Sequence, residues 1–134
     1  MTGVRGPRSA REIAAWVAVH VDDEPSHVAR VVTNELHRWN SADEDSLRAL
    51  VEEPLPVGDE RWDALLEGAV AYVLRLRDVT PPEWTRRTTL DEGFDPYADI
   101  HQSVTALVNF GVLDTPGELL NKGVIFSRKN FERL

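Results

Sequence analysis

At 134 residues and 42% apolar side chains, the chain is long enough to bury a core and too apolar for a disordered segment. Its 23 acidic residues outnumber 15 basic ones, and the resulting charge of -8 excludes a general affinity for nucleic acid or anionic membrane. The absence of cysteine excludes disulfides, thiolate metal sites and cysteine nucleophiles.

Residues 1–8 contain Gly3, Gly6 and Pro7 among arginines and are expected to form a flexible arm before a single helical domain at 9–134. Ser9 and Glu12 form a capping box, with Ile13, Trp16, Val17 and His20 on one face, so a first helix is expected to run to about Val21. An acidic turn at 22–24 leads to Pro25 at a first helical position. A second helix then carries Val28, Val31, Val32, Leu36 and Trp39. Ser41 and Glu44 read as a second capping box, opening a short helix with Leu47, Leu50 and Val51. Prolines 54 and 56 mark residues 52–57 as an extended connector between these N-terminal helices and a helical core at 58–134.

The clearest element follows. Asp59 is a good N-cap, and apolar residues at 62, 65, 66, 69, 70, 73 and 74 form one stripe with period 3.6. This helix is bounded by Gly58 and about Asp78, with prolines at 81 and 82 beyond, and is expected to be the centre of the core. Residues 80–94 read as irregular. Asp95 and Pro96 are expected to start another helix, with Ile100, Val104, Leu107 and Val108 inside and Gly111 as its stop. Thr115 and Glu118 repeat the capping-box pattern for a short helix ending near 121–123. Residues 124–126 are the only β-like run, and Ser127 is placed to cap a last turn carrying Phe131 and Leu134. The fold class expected is therefore mainly α, a compact bundle of five or six helices with at most a small β element near the C-terminus.

Chemistry is sparse. No pair among His20, His27, His37 and His101 has metal-ligand spacing on a helix, so no metal and no cofactor are expected. Asp91, Glu92, Asp95 and Asp99 form an acidic cluster that acid–base chemistry or a divalent cation could use, but capping and the helix dipole account for Asp95 and Asp99. The first two helices have the layout of a helix-turn-helix, with Arg30, Asn34, His37 and Arg38 on the second. Carboxylates at 22–24 would there repel the DNA backbone. Glycine-rich phosphate loops and nucleophile elbows are absent. Trp84, Phe94 and Tyr97, with Arg86 and Arg87 among them, admit two readings: anchors of a protein interface, or aromatics pinning an irregular segment onto the core.

The run PLPVGDERWDALL at 54–66, Pro82 and Trp84, Leu90 and Asp91, Phe94, and the closing Thr115, Pro116, Lys122 to Ser127 resemble a pattern of small actinobacterial antitoxin-like proteins. Some of these resemble partners of nucleotidyltransferase-like toxins, and others extensions of helix-turn-helix regulators. The likeness spans about residues 54–131 and departs where a basic pair before the last glycine reads Asn121 and Lys122, and where no tryptophan follows the Leu90–Asp91 step. It carries no catalytic residues. The resemblance implies a non-enzymatic partner that neutralises a toxin by stoichiometric binding; a DNA-binding regulator using residues 9–39 is the alternative. The expected partner surface is Trp84, Arg86, Arg87, Phe94 and Tyr97, with Phe126 and Arg128 close by. No run of about 18 apolar residues occurs, and residues 1–11 lack the apolar stretch of a secretory signal, so a cytoplasmic location is expected.

Overall fold

The computed structural model of the chain describes residues 6–97 and 114–132. Helix α1 (Ala10–His20) begins at the expected capping box: Ser9 Oγ accepts from Glu12 N–H, and Glu12 returns the bond to Ser9 N–H. Its buried face is Ala10, Ile13, Ala14 and Val17. Helix α2 (Pro25–His37) buries Val28, Ala29, Val32, Thr33 and Leu36, and continues into a tight 3-10 turn, Arg38–Ser41.

That turn moves the next helix start. Trp39 is fully buried, with its indole N–H on the Arg8 carbonyl at 2.8 Å, so Ser41 still lies inside the turn. The chain turns extended at Ala42, and Asp43, not Ser41, caps α3 (Glu44–Leu50) through the Ser46 N–H at 2.7 Å. The same Trp39 contact places Arg8 against the domain, so the expected flexible arm does not reach residue 8. Residues 1–5 lie outside the described part.

Helix α4 (Glu60–Leu76) starts at Asp59, whose carboxylate accepts from Arg61 N–H at 3.0 Å. Every residue of the expected stripe is buried, and so are Ala64 and the rest of residues 67–72. The helix is enclosed nearly all round because α1, α2, a 3-10 turn at Glu83–Arg86 and α5 (Gly117–Leu120) all pack on it. Gly68 makes the last contact possible. A Cβ there would sit 2.9 Å from the Glu118 carbonyl oxygen and 2.8 Å from Leu119 Cδ2.

Two chain reversals share one hydrogen-bond pattern. After α4, Asp78 adopts φ 55°, with Val79 N–H on the Leu74 carbonyl and Asp78 N–H on that of Arg75. After α5, Gly123 adopts φ 87°, with Val124 N–H on Leu119 and Gly123 N–H on Leu120. This is the 6→1 and 5→2 arrangement that closes a helix and satisfies its last carbonyls. Arg77 then reaches back to the Trp39 and Ala42 carbonyls.

Among the described residues the β element is one parallel bridge, Phe94 to Val124. The last helix, α6 (Lys129–Glu132), packs on α2; Ser127 Oγ accepts from Lys129 N–H ahead of it, as the sequence suggested. Thr115 does not cap α5. Its hydroxyl accepts from Phe126 N–H at 2.9 Å, and α5 begins at Pro116 without a side-chain cap. The described chain is thus a mainly helical, compact bundle of six α-helices. The helix expected from Asp95 through Gly111 lies outside the described residues beyond Tyr97.

Candidate partner-binding surface

The segment from Pro81 to Tyr97 has no regular helix of its own, and a buried carboxylate holds it in place. Glu67, on the inner part of α4, is 7% exposed. Its Oε1 accepts from the backbone N–H groups of Arg87 (3.0 Å) and Thr88 (2.9 Å), and its Oε2 from the Thr88 hydroxyl (2.6 Å). Lys122, equally buried, brings its ammonium to Glu67 Oε1 at 2.9 Å and to the Thr88 carbonyl at 3.0 Å. A buried charge is tolerable only when paired and hydrogen-bonded, and this one is both. The network joins α4, the segment and the end of α5. Further along, Leu90 N–H donates to the Lys122 carbonyl, and Phe94 pairs through both backbone groups with Gly123 and Ile125.

This pinning sorts the expected surface residues by direction. Trp84 turns inward, is 6% exposed, and donates its indole N–H to the Val51 carbonyl at 3.0 Å. Phe94 is buried edge-on against Trp62, ring centroids 5.1 Å apart. Phe126 is 1% exposed, stacked on half-buried Tyr97 at 5.6 Å and edge-on to Phe131. The expectation that these aromatics are exposed anchors is therefore corrected: Trp84, Phe94 and Phe126 are core side chains. Burial of that much apolar area is what holds an irregular segment against its entropy.

The arginines point outward. Arg87 is exposed and pairs with Glu53 at 2.6 Å; Arg128 is exposed and pairs with Asp114 at 3.1 Å, beside the other end of the segment. Arg86 is exposed and has no ion pair among the described residues. Clefts meet around the Glu83–Arg86 turn. One open groove of about 810 Å³ runs past Glu53, Glu83, Arg86 and Arg87, with Trp84 in its wall. A smaller one, about 80 Å³, lies between Trp84, Arg87 and the connector carrying Pro54, Leu55 and Pro56.

The connector supplies a residue that helical periodicity does not reveal. Leu55 is 77% exposed, between two prolines. Its flanks are fixed: Arg11 donates to the Glu53 carbonyl, Arg87 holds the Glu53 carboxylate, and Asp63 Oδ1 accepts from Val57 N–H at 2.9 Å. The sequence signal is a leucine in a Pro-Leu-Pro run, where no helix exists to bury it. Burial, reinforced by the charges of Glu67, Asp59 and Glu60, pushes the Asp63 carboxyl above its ordinary range against the Val57 N–H. Asp59 moves the other way, lowered chiefly by the Arg61 side chain.

Among the described residues no three histidines and carboxylates come together as a metal site. His20 stacks on Trp16 with ring centroids 4.1 Å apart and holds Asp23 at 2.7 Å, His27 meets Trp16 edge-on, and His37 lies 3.2 Å from the Phe131 carbonyl. Asp91 and Glu92 are exposed, and Asp95 accepts from Tyr97 N–H. Asp99 and His101 lie outside the described residues. On the second helix of the helix-turn-helix layout, Arg30 and Asn34 are exposed while Arg38 lies 3.5 Å from Glu35. Comparison of the chain with protein-family models, with curated proteins and with solved structures gives no match.

Proposed function

We propose that this chain is a non-enzymatic protein-binding domain, an antitoxin-like partner that neutralises a toxin by stoichiometric occlusion in the cytoplasm. The observation that carries the reading is the fixed outer face of the connector and the adjoining turn. Leu55 projects from a Pro-Leu-Pro run whose ends are tied to α1, α4 and Arg87. A surface already held in its bound shape loses little conformational freedom on docking. A protruding leucine beside arginines offers apolar surface that a partner pocket can take out of water. The charge of -8 would speed encounter with a basic partner, such as the nucleotide- or RNA-handling face of a nucleotidyltransferase-like toxin. No helix among the described residues is long and apolar enough to cross a membrane.

The test is co-expression with the protein encoded by the adjacent reading frame. The neighbour alone should inhibit growth, co-expression should relieve it, and the two proteins should co-elute in size-exclusion chromatography. Leu55→Asp combined with Arg87→Ala should abolish both relief and co-elution. A neighbour that neither inhibits growth nor forms a complex contradicts the reading, and so does a double variant that protects as well as the parent.

A further inference from the structure

A third cleft adjoins the Glu83–Arg86 turn on the side away from Leu55. It has a volume of about 360 Å³, within the usual range for a small-molecule site, and lies between Ala71 of α4, Pro81 and the end of α5. Its chemistry differs from that of the acidic surface around it. Arg86 lines it and has no ion pair among the described residues. Lys122 lines it from below. The Lys122 ammonium carries three N–H donors, of which Glu67 Oε1 and the Thr88 carbonyl take two. Its side chain is 9% exposed, and no third acceptor for the ammonium is found among the described residues. That third N–H is left to meet an acceptor entering the cleft. Glu118 also lines the cleft, but Arg75 neutralises it. Lys122 is likewise neutralised by Glu67, so the excess charge is the one positive charge of Arg86.

We propose that this cleft binds a small oxyanion-bearing polyol, with its phosphate or carboxylate between the Arg86 guanidinium and the third N–H of Lys122. Guanidinium groups bind planar pairs of oxyanion oxygens through two parallel hydrogen bonds. The hydroxyls of Thr80 and Thr89 line the same cleft and make no hydrogen bond among the described residues, and Glu118 offers an acceptor for a ligand hydroxyl. The volume leaves room for a sugar-sized body beyond the anion. This assignment is independent of the Leu55 surface and holds whether or not a protein partner exists.

The experiment is a titration of the ¹⁵N-labelled full chain at fixed ionic strength with ribose 5-phosphate, with gluconate, and with ribose as the uncharged control. Binding should appear as saturable shifts centred on the amides of Arg86, Thr89, Asn121 and Lys122, for an anionic probe and not for ribose. Saturation by ribose 5-phosphate assigns a phosphate, and saturation by gluconate a carboxylate. Arg86→Ala removes an exposed side chain and should weaken binding at least about tenfold, the loss expected for a charge-assisted pair. Arg48→Ala, at an exposed arginine on α3, should leave binding unchanged. The proposal is overturned by no saturable shift up to about 20 mM probe, a concentration that would reveal even weak millimolar binding. A response of equal size in Arg86→Ala, or an equal response to ribose, overturns it as well.

Discussion

At the scale of single residues, two acidic groups on α4, Asp63 and Glu67, decide much of the local structure. Asp63 lies half-buried, and burial pushes its carboxyl above the ordinary 3.8. A raised folded-state pKa means the fold prefers the protonated form. The stabilising contribution is complete below 3.8 and is lost as pH rises through the folded value. At neutral pH the ionised carboxylate is therefore a net cost. Asp63→Asn keeps an oxygen for the Val57 N–H and removes that cost. Thermal melts should find it at least as stable as the parent at pH 7, by less than about 1 kcal/mol because a half-exposed charge is screened by solvent. The difference should shrink toward zero as the pH is lowered past 3.8.

Glu67 is held by a different set of partners. Its charge is buried but met by Lys122 and by three donors from Arg87 and Thr88. Lys122→Met leaves that carboxylate without a countercharge and should cost about 3–5 kcal/mol. The double change with Glu67→Gln should recover part of the loss in urea unfolding, because a neutral amide oxygen still accepts the backbone N–H groups. If Lys122→Met unfolds at the same urea concentration as the parent, the pair is not what fixes the segment.

At the scale of elements, the helices were largely legible and their exact starts less so. The period-3.6 stripe from Trp62 and the caps at Ser9 and Asp59 all reappear in the structure, because helix initiation is a local matter of a side-chain oxygen reaching nearby N–H groups. Ser41 and Thr115 carried the same signal and do other things. Ser41 lies inside a turn held by buried Trp39, and Thr115 accepts from Phe126, eleven residues away. A hydroxyl has several acceptable partners, and tertiary packing chooses among them. The Glu67–Lys122 pair spans 55 residues, so no local pattern could announce it. The aromatics of the irregular segment suited either a core or an interface by composition; only the position of the segment against α4 decides for the core.

Gly68 gives the sharpest test of how α4 and α5 pack. Alanine there gains about 1 kcal/mol of helix propensity. It also drives a Cβ to 2.9 Å from the Glu118 backbone carbonyl, which cannot rotate away as a side chain would. Overpacking costs about 1–3 kcal/mol, so the clash should win. Gly68→Ala should lower the urea midpoint, whereas a rise would mean the two helices separate freely.

At the scale of the whole molecule, most of the large aromatic side chains go to the core. Trp39, Trp62, Trp84, Phe94 and Phe126 are spent on the interior, and the surface carries the net negative charge. Among the described residues the exposed large apolar side chains are Val19, Leu55, Leu76 and Leu120, and of these Leu55, on its fixed connector, belongs to the surface proposed to meet a partner, with the outward arginines and the groove between Glu53 and Arg86. The motif residues behind the antitoxin-like resemblance mostly make structural contacts: Asp59 caps, Asp63 holds the connector, and Trp62 meets Phe94. They explain a shape more than a chemistry, so the partner surface has to be sought beside them. The alternative of DNA reading would instead engage residues 9–39, where the acidic turn at 22–24 opposes a phosphate backbone.

The most direct measurement is amide hydrogen exchange of the chain, free and in complex with the product of the adjacent reading frame. New protection is expected at residues 52–57 and 83–88, with little change over 9–39. Protection concentrated over residues 9–39, with the connector and the turn unchanged, would contradict it.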